Sequence, residues 1–105
     1  MVDLAIPGMS HYIAYKMGII GFMRGLANDV AAYGVTANAV LPGLTNTPAT
    51  AGQSEGQRRA SVDQQAIKRI AEPKDITGAV LFLTSSDAEF ITGQSIVVDG
   101  GSYRI

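Results

Sequence analysis

The sequence predicts an α/β fold with a parallel pair of strands. Two short, β-branched segments, 35–41 and 95–98, each follow a longer segment with helical periodicity. Strands that alternate with helices along a chain are typical of parallel sheets with right-handed crossovers. Because parallel strands are normally buried on both faces and flanked by further strands, this order predicts the C-terminal portion of a doubly wound sheet.

The first helix is predicted over residues 10–33, with Ser10 as its N-cap and Gly34 as its C-cap. Apolar residues recur along it at three- and four-residue steps, which predicts one buried face. They are Tyr12, Tyr15, Ile19, Phe22, Met23, Leu26 and Val30. A second line of small residues with the same spacing predicts close packing against another backbone. Its members are Ala14, Gly18, Gly21 and Gly25.

The middle of the chain predicts a short strand and a long loop. Segment 35–41 ends at a Pro-Gly pair, and Asn38 within it needs hydrogen-bonding partners if it is buried. Residues 42–71 are rich in Gly, Thr, Ser and Gln, and loops of this length in compact domains are usually functional. We expect one or two short helices around 57–70. Arg58 and Arg59 are interpreted as a solvated pair rather than as a phosphate clamp.

The last third of the chain predicts one more helix and one more strand. Pro73 suits the first turn of the helix, where Lys74 and Asp75 are expected to be solvated. A turn at 92–93, a strand over 95–98 and a terminator over 99–101 follow. At the other end of the chain, residues 1–6 are a short apolar segment, which is predicted to end at a Pro-Gly turn.

Composition excludes several classes of function. The 105 residues contain no cysteine and one histidine, His11, so disulfides, thiolate metal sites and cysteine nucleophiles are excluded, and no metal centre is expected. The 8 basic and 9 acidic residues give a net charge of −1 and do not segregate, which argues against nucleic-acid binding. No stretch is long and apolar enough to suggest a membrane span. A cytoplasmic location is the expectation.

Tyr12 and Lys16 lie four residues apart on one face of the first predicted helix, where Cβ atoms are about 5–6 Å apart. A phenol, with a pKa near ~10, exchanges protons poorly at neutral pH unless its phenolate is stabilised. An ammonium at ~4 Å contributes about 4 kcal/mol of attraction at an effective dielectric near 20. The phenol could then exchange a proton with a carbonyl or alcohol oxygen. By spacing alone the pattern is weak, and an ordinary helix start with a solvated lysine is favoured.

Three motifs in order change this interpretation. "SHYIAYKMGIIGFMRGLA" follows Pro7-Gly8, "VTANAVLPGLTNTP" comes next, and "AEPKDITGAVLFLTSSDAEFITGQSIVVDGG" follows a variable stretch. Together they closely resemble the C-terminal half of the short-chain dehydrogenase/reductase family, and within it the 3-oxoacyl-carrier-protein-reductase-like members. The resemblance covers nearly the whole chain and implies the C-terminal portion of a Rossmann-like sheet.

The resemblance also implies site residues. Tyr12 would be the catalytic acid/base, and Lys16 would stabilise its phenolate and hold the nicotinamide ribose hydroxyls. The segment 42–47 matches the family's Pro-Gly-x-x-x-Thr pattern, in which the backbone at Leu44 and the hydroxyl of Thr47 would contact the nicotinamide carboxamide. The implied cofactor is NAD or NADP, and the implied substrate is a small carbonyl or alcohol. The implied cofactor-binding set is Tyr12, Lys16, Pro42, Gly43, Leu44, Thr45 and Thr47.

The sequence departs from the family pattern in two respects. Tyr15 stands before the lysine, where a small hydroxyl residue is common. The family's glycine-rich dinucleotide-binding turn, its catalytic serine and its helix asparagine have no counterpart in these 105 residues. Ser10 is too near Tyr12 to replace that serine, and Asn38 is interpreted as structural. We therefore expect residues 1–105 to form a single partial domain without the N-terminal half, inactive alone.

Three roles stay open for such a chain. The first is part of an NAD(P)-dependent oxidoreductase that pairs with a separate N-terminal half. The second is a non-catalytic relic or assembly module that forms homo-oligomers through exposed apolar surface. The third, which is weaker, is a binding protein that uses loop 42–71 for a small ligand.

Overall fold

The computed structural model describes residues 7–102 of the chain. Its elements confirm the predicted order of helix, strand, loop, helix and strand. They are α1 (Ser10–Val30), a 3₁₀ turn (Ala31–Tyr33), β1 (Ala39–Pro42), α2 (Glu55–Asp63), α3 (Pro73–Leu83), a second 3₁₀ turn (Ser86–Ala88) and β2 (Ser95–Val98). The predicted apolar segment 1–6 lies outside the described residues, as do residues 103–105.

The two strands form a parallel pair, which confirms the predicted fold class. Ala39 lies opposite Ser95, and the register continues to Pro42 opposite Val98. The second strand has the predicted bounds. The first is shorter than predicted, because residues 35–38 are held by the loop before β2 rather than by the strand itself. The Ala37 N–H donates to Thr92 Oγ1 at 3.0 Å, and the Ala37 carbonyl accepts the Gly93 N–H at 2.7 Å.

Asn38 has the structural role that its position predicts. Its Nδ2 donates to the Ile91 carbonyl at 3.2 Å, and its Oδ1 accepts the Gln94 N–H at 3.1 Å. One side chain therefore satisfies backbone groups on both sides of the turn at Gly93. This pairing fixes where β2 begins relative to β1.

The start of α1 differs from the prediction, and at its other end the α-helix continues only to Val30, where the 3₁₀ turn takes over. Gly34 adopts φ 72°, and its N–H donates to the Ala31 carbonyl at 3.1 Å, which confirms the predicted C-terminal cap. Ser10 is not the N-cap, and its predicted role is wrong. Met9 occupies that position, because its carbonyl already accepts the Ile13 N–H at 2.9 Å and starts the helix one residue earlier.

The buried face of α1 is not the predicted apolar face. Ile20, Met23 and Ala27 are buried, and of these only Met23 belongs to the predicted set. Tyr15 is 64% exposed and Phe22 71% exposed. The glycine line is open as well, since a Cβ added at Gly18, Gly21 or Gly25 would meet nothing within 4 Å. The helix carries apolar residues on several sides, and most of them are exposed.

The long excursion after β1 is tied down at both ends. Near its start, the Asn46 N–H donates to the Ala71 carbonyl at 2.8 Å, and the Ala71 N–H donates to the Leu44 carbonyl at 3.2 Å. Near its end, the N–H groups of Ala66 and Ile67 both donate to the Gly100 carbonyl, at 2.9 and 2.8 Å. The excursion contains one short helix, α2, as expected, although it begins slightly before the predicted region.

An ion pair links the end of the excursion to the start of α3. Pro73 takes the first helical position, as predicted. Asp75 is not simply solvated, which corrects the prediction: its two carboxylate oxygens accept Arg69 guanidinium N–H groups at 2.7 and 2.9 Å. One of them also accepts the Glu72 N–H at 2.7 Å. These hydrogen bonds, that of Arg69 foremost, hold the pKa of Asp75 well below its usual range, and Asp75 in turn raises the pKa of Arg69.

Among residues 7–102, none of the helices has the length and apolar character needed to cross a bilayer.

The ion pair predicts an acid-sensitive contribution to stability. Because the folded-state pKa of Asp75 is lowered, its contribution is complete above the ordinary aspartate pKa of about 4 and is lost as the pH falls below that value. Asp75→Asn should therefore lower the urea unfolding midpoint, measured by circular dichroism, at neutral pH, and the difference from wild type should shrink below about pH 4. Asp63→Asn is the matched control, since no hydrogen bond of the Asp63 carboxylate occurs within residues 7–102. Equal midpoints for Asp75→Asn and wild type at neutral pH would contradict the prediction.

Candidate active site

The first turns of α1 bring Tyr12 and Lys16 together. The Lys16 ammonium nitrogen lies 5.4 Å from the centroid of the Tyr12 ring and 5.7 Å from that of the Tyr15 ring. Both distances lie within the range of a cation–π contact. Lys16 is half-buried, and Tyr12 is 41% exposed. The ammonium is therefore confined beside an aromatic ring that solvent and a ligand can still reach.

Lys16 lies on the wall of a groove between α1 and β1. This groove, of about 230 Å³, is lined by Tyr12, Lys16, Ile19 and Ile20 from the helix and by residues 39–42 from the strand. Its other walls are largely apolar side chains. A charged side chain beside such walls is less screened than one in open water.

A second, larger cleft of about 570 Å³ begins at Tyr12 and runs along the segment that follows β1. Every residue of the predicted cofactor-binding set except Lys16 lines it, so the structure brings together Tyr12, Pro42, Gly43, Leu44, Thr45 and Thr47. The opposite wall comes from the long excursion and from the turn after β2. It includes Thr50, Gln53, Ser61, Gln64, Gln65, Asp99 and Ser102.

Gly43 is where the cleft floor crosses the end of β2. Its N–H donates to the Val98 carbonyl at 3.0 Å and so extends the strand pairing by one residue. A Cβ at this position would lie 2.7 Å from Asp99 Cβ and 2.9 Å from Asp99 Cα. Asp99 is itself buried, and its Oδ1 accepts the N–H groups of Gly101 and Ser102. Only glycine fits between these backbones without displacing one of them.

The segment 45–50 forms a compact turn with its own hydrogen bonds. Thr45 Oγ1 donates to the Gly43 carbonyl at 3.0 Å, and the hydroxyl of Thr50 bonds to both Thr45 and Thr47. The sequence analysis missed Thr50. A threonine three residues after Thr47 in a loop of small polar residues was the available signal, because hydroxyl side chains in such loops often bond to nearby backbone.

Arg58 connects α2 to this turn, which corrects its interpretation as a solvated side chain. Its Nη2 donates to the Thr50 carbonyl at 3.2 Å, and the residue is half-buried. Arg59 is exposed. The guanidinium of Arg58 therefore supports the loop.

The polar groups at the cleft floor have the chemistry that a carboxamide requires. Within residues 7–102, the Leu44 N–H donates to no acceptor. The Thr47 hydroxyl, which is half-buried, lies on the same cleft. A backbone donor and a hydroxyl acceptor match the oxygen and the N–H₂ of a carboxamide. The residues present therefore fit the group that the family resemblance implies.

A family model and curated relatives both match nearly the whole of this chain. A family model described as enoyl-(acyl carrier protein) reductase matches residues 2–103. The chain is 42% identical over 98 residues to the 3-oxoacyl-(acyl-carrier-protein) reductase of Vibrio cholerae, a match that covers 93% of this chain and 40% of that protein. The chain thus spans about 40% of the length of the curated relatives it matches.

Solved structures superpose on nearly the whole of this chain. A 3-oxoacyl-(acyl-carrier protein) reductase from Brucella melitensis superposes with a TM-score of 0.84 at 33% identity, over 90% of this chain and 36% of that one. A 4-hydroxyisoleucine dehydrogenase complexed with NADH superposes with a TM-score of 0.89 at 27% identity, over 96% of this chain and 42% of that one.

The close approach at Gly43 predicts opposite effects for two glycine substitutions. Gly43→Ala forces a methyl group against the Asp99 backbone and should lower the free energy of unfolding by about 1–3 kcal/mol. Gly21→Ala adds a methyl group in open space on a helix and should raise it by about 0.5–1 kcal/mol. Urea unfolding of both variants measures the two values. A Gly43→Ala variant whose free energy of unfolding is unchanged or higher would contradict the predicted clash with Asp99.

Proposed function

We propose an activity from one premise: this chain belongs to the short-chain dehydrogenase/reductase family. The proposed activity is that of an NAD(P)-dependent oxidoreductase that interconverts a carbonyl and an alcohol, with Tyr12 as acid/base. The observation that carries it is the Lys16 ammonium 5.4 Å from the Tyr12 ring, at the mouth of a cleft floored by residues 42–47.

In the reducing direction, Tyr12 supplies the proton. Its O–H bond breaks as a new O–H bond forms on the carbonyl oxygen of the substrate, and the phenolate that remains is stabilised by the Lys16 ammonium. When bound, a nicotinamide cofactor would supply the hydride to the carbonyl carbon in this direction and would accept it from the alcohol carbon in the other. In the oxidising direction the phenolate accepts the alcohol proton.

The cofactor-binding role proposed for segment 42–47 rests on the groups at the cleft floor. The Leu44 N–H would bond to the carboxamide oxygen, and the Thr47 hydroxyl would accept from its N–H₂. Lys16 would hold the ribose hydroxyls as a donor. A solved relative complexed with NADH supports a nicotinamide cofactor. We leave NAD and NADP as equal candidates, and we propose a small-molecule substrate and a cytoplasmic location.

We further propose that turnover requires a glycine-rich dinucleotide-binding half. These 105 residues contain no glycine-rich turn of the kind that binds a dinucleotide between a first strand and a first helix. The glycines of α1 lie inside a helix, where they cannot form such a turn. Residues 1–105 are accordingly proposed to act as one partial domain.

A cofactor titration tests this proposal. NADH and NADPH are titrated against the chain alone, against the N-terminal half of the Vibrio cholerae relative alone, and against the mixture, with cofactor fluorescence as the signal. Reduction of a 3-oxoacyl thioester is then followed by loss of cofactor absorbance. We expect the mixture to bind the cofactor and to reduce the thioester. We expect the separate halves to do neither. A mixture that performs no better than the separate halves would contradict the proposal.

Substitution of Tyr12 tests the acid/base assignment. In the mixture of the two halves, Tyr12→Phe removes the transferable proton and should lower turnover by about 10²–10⁴-fold. Tyr33→Phe, at an exposed tyrosine beyond the end of α1, is the matched control and should retain full turnover. Equal rates for Tyr12→Phe and Tyr33→Phe would remove Tyr12 from the mechanism.

A second candidate function is favoured by the exposed apolar surface. Phe22 is 71% exposed on α1 and Phe90 is fully exposed, while Leu81 on α3 is also exposed. Large exposed apolar patches are typical of interaction sites. The chain would then act as an assembly module that forms homo-oligomers, with or without turnover.

Light scattering after size-exclusion chromatography tests this alternative. The wild-type chain should elute as an oligomer at micromolar concentration. Phe22→Glu, which places a charge on the exposed face of α1, should shift it toward the monomer. Ala60→Glu adds the same charge at an exposed position on α2 and serves as the control. A compact wild-type monomer would contradict the assembly function.

A further inference from the structure

The side chain of Gln65 lies on the far wall of the larger cleft, which is the wall opposite segment 42–47. It is 7% exposed, and it is one of two buried polar residues within 7–102. Its Nε2 donates to the carbonyls of Ile67 and Arg69, each at 2.8 Å. An amide nitrogen has two hydrogens and the amide oxygen has none, so two carbonyl partners identify this end of the side chain as the nitrogen.

Two turns of the chain hold the Gln65 amide in this orientation. Gly100 packs against it so closely that a Cβ there would lie 2.8 Å from Nε2. The Gly100 carbonyl also accepts the N–H groups of Ala66 and Ile67, which joins the turn after β2 to the segment that carries Gln65. Rotation of the amide would break both of its bonds to carbonyl groups. Its orientation is therefore set before a ligand binds.

The oxygen of the same amide is available to a ligand. Within residues 7–102 the Gln65 Oε1 accepts no hydrogen bond. It is not enclosed either, because Ser95 Oγ is the one enclosed side-chain polar atom in that part of the chain that lacks a partner. Ile67 and Arg69, toward which the nitrogen points, line a separate pocket of about 170 Å³ and not the cleft. The oxygen, on the other side of the amide carbon, is therefore turned toward the cleft.

The far wall of the cleft offers hydrogen-bonding groups but no cation. Its side chains are three amides, three hydroxyls and the Asp99 carboxylate, and none of the cleft's described lining residues is a lysine or an arginine. A carboxylate or phosphate of a ligand would have no charged partner on this wall and would be repelled by Asp99. A hydroxyl, which is uncharged and both donates and accepts, matches this wall.

We propose that Gln65 is a specificity-determining residue whose amide oxygen accepts a hydrogen bond from a hydroxyl of the substrate. The cleft then selects an uncharged carbonyl or alcohol that carries a further hydroxyl, and it discriminates against one that carries a carboxylate. This inference rests on the proposed function, because a substrate that reacts at Tyr12 above a cofactor on the cleft floor would face this wall. It assigns a residue from the variable stretch between the second and third motifs.

The first test needs neither a cofactor nor a second chain. The isotope-labelled chain is titrated with 1,3-butanediol, 2-butanol and 3-hydroxybutyrate, which share one secondary alcohol and end in a hydroxymethyl, a methyl and a carboxylate group. The NMR signals of the Gln65 carboxamide should shift with a half-saturating concentration about fivefold lower for the diol than for the other two, the value of one neutral hydrogen bond. The Gln94 carboxamide, outside the cleft, should not respond. A Gln65 signal that the diol does not move, or that all three compounds move alike, would overturn the proposal.

The second test measures oxidation of the same three compounds by the mixture of the chain with the N-terminal half and NAD⁺ or NADP⁺. Wild type should have a kcat/KM about fivefold higher for the diol than for 2-butanol. Gln65→Met keeps the length of the side chain and removes its oxygen, so this ratio should fall to about one, chiefly through a higher KM for the diol. Gln94→Met, at an exposed glutamine in the turn before β2, should keep the wild-type ratio. A preference of wild type for 3-hydroxybutyrate would overturn the proposed class of substrate.

The two tests separate failure of this inference from failure of the proposed function. A mixture that oxidises the alcohols with the same ratio in wild type and in Gln65→Met overturns the role of Gln65 and leaves the oxidoreductase proposal standing. A mixture without turnover overturns the proposed function. In that case, or if Gln65→Met does not fold, the titration of the wild-type chain still decides whether the cleft prefers the diol at Gln65.

Discussion

The contact between Gly43 and Asp99 is the constraint on which the candidate site depends. Two parallel strands end side by side, and the chain leaving β1 passes so close to the chain leaving β2 that a methyl group has no room between them. This places the segment 43–47 against the turn at 99–101. The same turn receives Ala66 and Ile67 through the Gly100 carbonyl. The floor and the far wall of the cleft are therefore positioned by one crossing of backbones, and α1 supplies Tyr12 to the cleft.

Local patterns in the sequence were sufficient for the elements whose ends are set by backbone chemistry. Gly34 ends the 3₁₀ turn after α1 because glycine adopts positive φ at little cost, and Pro73 starts α3 because its missing N–H is not needed there. The bounds of β2 were predictable from a β-branched run between two turns. The pairing of Tyr12 with Lys16 followed from helical spacing, and five residues of segment 42–47 line one cleft together with Tyr12.

The features that were not predicted depend on hydrogen-bonding partners distant in sequence, or on which of several similar helix faces becomes buried. Several sides of α1 are apolar, so periodicity alone could not decide that Ile20, Met23 and Ala27 would be its buried residues. The first strand begins late because Ala37 and Asn38 bond to the loop before β2, more than fifty residues away. Arg58 and Asp75 had suggested solvated charges, yet each has a specific hydrogen-bonding partner. A charged side chain in a polar stretch carries no signal that distinguishes these outcomes.

The excursion between Leu44 and Ala71 is joined at its base by main-chain atoms alone. Its closure therefore does not depend on which side chains it carries. The entropic cost of closing a loop grows slowly with length, by about 0.6 kcal/mol for each doubling. Residues 51–57 can accordingly be exchanged, lengthened or shortened, since the hydrogen bonds of Ala66, Ile67 and Arg69 lie outside that stretch. A scaffold of this kind separates the part of a protein that evolves toward new ligands from the part that must stay as it is.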